Sequence, residues 1–76
     1  MATVTEPTCV QQIGEVAGVV WHTLHDHGPL SFTKLTKHVE TPRDLTMQAV
    51  GWLAREDKIN ISETSRGRMI SLNPDA

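Results

Sequence analysis

The apolar residues of this chain change their period once. Up to about residue 57 they recur every three or four positions, and from residue 58 onward they recur every second one. Three-to-four spacing puts side chains on one face of a helix, whereas alternation puts them on one face of a strand. A chain that makes this switch once near its C-terminal end folds as a helical body followed by a β-hairpin. With 76 residues it has room for one domain, near the lower limit for a core without a covalent staple. The lone Cys9 cannot form an internal disulfide and fits a reducing compartment.

The helical part divides at its own stop and start signals. Ile13, Val16, Ala17, Val20 and Leu24 share one helix face, and Gly28-Pro29 ends the run. Glycine accepts a positive φ there and proline blocks continuation. The first helix is therefore expected over residues 9 to 27. Ser31 can cap a second, two-turn helix whose core face is Phe32, Leu35 and Val39. Thr41-Pro42 gives a third start, with Thr41 as N-cap, Pro42 at the first helical position and Asp44 as a capping-box-like acid. Leu45, Ala49, Val50 and Leu53 form its inward stripe, and it should end near Glu56 or Asp57.

The two strands come from "KINISE" and "RMISL", joined by "TSRG", in which Gly67 is available for positive φ. Leu30-Ser31 can add a third, very short strand. The expected class is α+β and mainly helical. Three helices, two of them joined by a four-residue turn around residues 40 to 43, precede a two- or three-stranded wing. That order makes a winged helix-turn-helix. Residues 1–8 read as a flexible N-terminal arm, 9–73 as the domain and 74–76 as a C-terminal tail.

The combination "IGEVAGVVWHTLHDHGPLSFTKL" followed by "AVGWLAREDKI" resembles a small bacterial and archaeal winged helix-turn-helix family of uncharacterised function. The likeness runs from about residue 13 to residue 72. It implies the fold, and it brings no established substrate, cofactor or site residue with it.

In a helix-turn-helix the second helix of the pair presents its N-terminal turns to the major groove. On that analogy Arg43, Met47 and Gln48 face the bases. Arg43 is suited to guanine or phosphate, and Gln48 to adenine. Arg66 and Arg68 flank the wing tip, where backbone or minor-groove contacts are made, and Lys34 and Lys37 can reach phosphates. Asp44 works against this reading unless it accepts from cytosine or serves the helix N-terminus. The chain carries a net charge of −2, yet all seven of its Lys and Arg residues lie beyond residue 30. If Arg43, Arg66, Arg68, Lys34 and Lys37 each neutralised one phosphate, the log–log salt slope would be about −4 to −5 for one protomer. That is modest, so useful binding to duplex DNA calls for a dimer.

Two tryptophans, Trp21 and Trp52, stand in a chain with one Phe and no Tyr. They fit the edge of a core, or an exposed apolar seam for a homodimer or another protein. His22, His25 and His27 with Asp26 do not converge on one side of one helix, so no metal site and no cofactor are expected. No phosphate loop, activated nucleophile or paired carboxylates are present, which argues against an enzyme. The longest apolar run, Val19-Val20-Trp21, is far short of a membrane span. The N-terminus lacks the basic start and apolar stretch of a signal peptide, so a cytoplasmic location is expected. The reading is a DNA-binding transcriptional regulator or accessory domain. Its alternative is a protein-interaction winged helix without DNA binding.

Overall fold

A computed structural model describes residues 8–65 and 67–75. Arg66, nearly all of the expected arm and the last residue of the tail lie outside the described residues. The element order is α1 (Cys9–His27), β1 (Leu30–Ser31), α2 (Phe32–Val39), α3 (Arg43–Arg55), β2 (Ile59–Thr64) and β3 (Gly67–Leu72). The three strands form one antiparallel sheet in the order β1-β3-β2, so Leu30-Ser31 does supply the third strand. Its register sets Leu30 against Ile70, and β2 pairs along β3 from Ile59–Leu72 to Thr64–Gly67.

Each helix starts and stops for a local reason. Thr8 caps α1 through a reciprocal box, in which Gln11 N–H donates to Thr8 Oγ1 at 3.1 Å and Thr8 N–H donates to Gln11 Oε1 at 2.8 Å. Gly28 ends α1 at φ 77° and ψ −163°, a region that side chains make costly. Ser31 Oγ accepts from Lys34 N–H at 3.3 Å and starts α2. Glu40 closes α2 in the left-handed region at φ 58°. A second left-handed residue, Asp57 at φ 60°, ends α3. Its N–H donates to Ala54 and that of Lys58 donates to Leu53, the paired closure of a Schellman motif.

The start of α3 differs from expectation. Its N-cap is Pro42, not Thr41, and no side chain caps it. The connecting turn is residues 40 to 42, one residue shorter than expected, and Asp44 stands at the second helical position. Thr41 is instead turned toward the helix, where its hydroxyl lies 2.7 Å from that of Thr46. Thr46 Oγ1 also donates to the Pro42 carbonyl at 3.2 Å. Thr46 is fully buried and Leu45 only half so. The inward stripe is Thr46, Ala49, Val50 and Leu53, which is the true i, i+3, i+4, i+7 set; Leu45 sits at its margin. A threonine can take the core position because its hydroxyl is satisfied twice.

The core joins Val16, Ala17, Val20 and Leu24 of α1 to Leu35 and Val39 of α2 and to the α3 stripe, closed by Leu30, Ile59 and Ile70 of the sheet. Ile13 and Phe32, expected inside, are half-buried. Among the described residues, no helix is long and apolar enough to cross a membrane.

Candidate nucleic-acid interface

At the Ile61–Ile70 pair the inner face of the wing is buried on its central strand and open on its edge strand. Directly opposed residues on antiparallel strands share a face, so Ile59, Ile61 and Glu63 lie on the same side as Leu72, Ile70 and Arg68. At the base of the hairpin this inner face is core: Ile59 and Ile70 are buried. Across the ladder from Ile70, on the edge strand β2, Ile61 is 46% exposed. The alternation of "KINISE" gives the correct face for Ile61 but not its depth.

What Ile61 and Arg68 overlook is α3. An open groove of about 340 Å³ runs between helix and wing, with Phe32, Arg43, Met47, Ile61 and Arg68 among its lining residues. Its lining is mainly apolar, with one arginine from α3 and one from β3. Arg43, the first residue of α3, lies with its guanidinium 5.4 Å from the centroid of the Phe32 ring, a cation–π contact. Arg68 Nε is 3.5 Å from Glu63 Oε1, both side chains being largely exposed. Met47, which lines the same groove, is 49% exposed.

Of the residues singled out from the sequence, Arg43, Met47 and Arg68 are thus brought together. Gln48 is exposed on α3 but stands about 100° round the helix from Met47, on the outward ridge it shares with Asp44. Lys34 and Lys37 are exposed on α2 and do not line the groove. Arg66 lies outside the described residues. Among the groove's other lining residues, Phe32 and Ile61 carry a faint signal in the sequence: each is the most exposed apolar residue in its own periodic run.

Trp21 is half-buried against the core, whereas Trp52 is 46% exposed. Only Trp21 therefore packs as a core-edge tryptophan. The histidines do not gather. Trp21 stacks on His25, with His22 edge-on to it, and His27 stacks on His38 of α2 with centroids 4.3 Å apart. Among the described residues, no group of three or more His, Cys, Asp or Glu could hold a metal ion.

Comparison with known proteins agrees with this architecture. Residues 9–72 match the profile of a family described as winged helix-turn-helix domain (DUF2582). The uncharacterized protein MJ1608 of Methanocaldococcus jannaschii is 34% identical over 64 residues, covering 80% of this chain and 90% of the relative. The solution NMR structure of protein BT2368 from Bacteroides thetaiotaomicron superposes with a TM-score of 0.77 at 34% identity. That match covers 86% of this chain and 79% of the other.

Proposed function

The chain belongs to the winged helix-turn-helix domain family (DUF2582), and from that premise we propose that it binds duplex DNA through the face formed by α3 and the wing, as a non-catalytic regulator or accessory domain. The observation that carries this reading is the pairing of Arg43 and Arg68 across one open groove. The two guanidiniums come from the two elements with which winged helices contact DNA. Arg43 also sits where the first turn of α3 meets the first turn of α2. The first turn of α3, which no side chain caps, favours an anion there. Met47 offers an apolar contact for a thymine methyl, and Gln48 a bidentate partner for adenine. Lys34 and Lys37 add phosphate contacts from α2. Arg66 would add a further cation at the wing tip.

Few cations are available, so binding by one protomer is weak and strongly salt-dependent. The test is fluorescence anisotropy of labelled random duplex DNA at low and moderate salt, with the Arg43→Glu/Arg68→Glu variant beside the unaltered protein. Binding that falls steeply with salt and vanishes in the variant supports the reading. Absence of binding at tens of micromolar in low salt refutes it.

A second reading, a winged helix that docks protein, is favoured by the half-exposed Met47, Trp52 and Ile61 around α3 and by Asp44 on its outward ridge. In that case the same titration gives no DNA binding while the chain retains its fold.

A further inference from the structure

At about 340 Å³, the groove between α3 and the wing lies at the small end of the range of small-molecule sites, roughly 300–1,000 Å³. On α3 it follows one helix face, because Arg43, Met47 and Gly51 stand four residues apart and all line it. From Arg43 to Gly51 that face is about 12 Å long. Gly51 keeps it open. Glycine is a poor residue for the interior of a helix, and a Cβ placed on Gly51 would meet nothing within 4 Å.

Arg43 gives this apolar face a positioned cation. Its guanidinium lies over the Phe32 ring, and among the described residues no carboxylate pairs with it. Glu63 is engaged with Arg68, and Asp44 points about 100° away round the helix. None of the described residues that line the groove is acidic. An inorganic anion would satisfy Arg43 and leave Met47 and Ile61, each nearly half exposed, against water. An uncharged apolar molecule would cover them and desolvate Arg43 without pairing it.

We propose that the groove binds a small amphipathic carboxylate, of the class of a medium-chain fatty acid, and that its occupancy excludes DNA. The carboxylate pairs with the Arg43 guanidinium, whose planar fork matches it in two charge-assisted hydrogen bonds. The chain lies against Met47, Gly51 and Ile61 and removes their apolar surface from water. An extended eight-carbon chain is of similar length to the Arg43–Gly51 face. Carboxylate and DNA phosphate compete for one guanidinium. That exclusion rests on the DNA reading above, whereas binding of the carboxylate does not.

A ¹H–¹⁵N correlation titration of the labelled full chain with sodium octanoate, at constant ionic strength, tests the site. Saturable shifts are expected at the backbone amides of Arg43, Met47, Gly51 and Ile61, with those of α1 unmoved. Octan-1-ol, the same chain without the charge, should bind at least about tenfold more weakly, and acetate should give no saturable shift. Gly51→Leu, whose side chain enters the open groove, should abolish the octanoate shifts with the helical circular dichroism retained. Arg43→Gln should weaken octanoate by about tenfold or more and leave octan-1-ol unchanged, which a merely structural role of Arg43 would not do. The absence of saturable octanoate shifts overturns the proposal and leaves the groove to macromolecules. So do shifts centred on α1, or octan-1-ol bound as tightly as octanoate. In the DNA anisotropy titration, octanoate should raise the apparent dissociation constant while acetate at equal concentration does not. DNA binding indifferent to saturating octanoate overturns the exclusion. A chain that binds octanoate and no DNA upholds the site and refutes the DNA reading, together with the exclusion that rests on it.

Discussion

Arg43 and Phe32, the first residues of α3 and α2, are in contact, with the guanidinium 5.4 Å from the ring centroid. The contact joins the two helix N-termini and holds a cation at the mouth of the groove that the wing completes. Cation–π contacts at such exposed sites are worth about 0.5–1 kcal/mol. Because the α3 dipole opposes a cation at that position by a comparable amount, Arg43→Ala should change stability by less than about 1 kcal/mol in urea unfolding. It should also make the log–log salt slope of DNA binding shallower by about 0.9, the share of one phosphate contact. Arg43→Lys should keep most of the slope and lose the stacking.

Glu63 is set against Arg68 by the strand register and lies 3.5 Å from it. Both are exposed, so the pair adds little to stability, but the carboxylate opposes any phosphate approaching Arg68. Glu63→Gln should leave the thermal midpoint nearly unchanged. It should tighten DNA binding and steepen the salt slope by up to about 0.9, measured by anisotropy at two salt concentrations. Unchanged binding would mean that Arg68 does not meet DNA.

The buried hydroxyl of Thr46 holds the helix-turn-helix turn to α3 through Thr41 and Pro42. Valine has the same shape without the hydroxyl. Thr46→Val should cost about 1 kcal/mol, the net value of the bonding removed. The denaturation midpoint should fall while its slope is unchanged.

Backbone conformation gives a pair of opposed predictions. Gly28, at φ 77° and ψ −163°, is in a region closed to side chains, so Gly28→Ala should destabilise by about 1–3 kcal/mol. Glu40 is left-handed at φ 58°, and Glu40→Gly should stabilise by about 0.5–1 kcal/mol once glycine's own entropy is counted. Thermal unfolding of both variants reads the two signs in one experiment.

The helices and the wing are legible in the sequence because period and breakers are local signals. Cys9–His27 follows from the spacing of Val16 to Leu24 and the Gly28-Pro29 stop, and the hairpin from the alternation in "KINISE" and "RMISL". Depth was not legible. Ile61 keeps the phase of Ile59, but it lies on the edge strand opposite the buried Ile70, and which strand is central is set by the sheet order. Thr46 holds the core position because it shares the helical phase of Ala49, Val50 and Leu53, and its hydroxyl is tolerated there because it bonds to Thr41 and Pro42. The same limit applies to the candidate site. Arg43, Met47 and Arg68 could be named from their places in the fold, whereas the shared groove and its Phe32 and Ile61 lining required the sheet register. Trp52 looked like core edge beside Leu53, yet its phase turns it to the α1 flank.

The most direct test is a ¹H–¹⁵N correlation titration of the labelled protein with a short random duplex at low salt. The account predicts shifts at the backbone amides of Arg43, Met47, Gln48 and Arg68, with those of α1 unmoved. Shifts confined to α1, or no shifts at all in the presence of excess duplex, would contradict it.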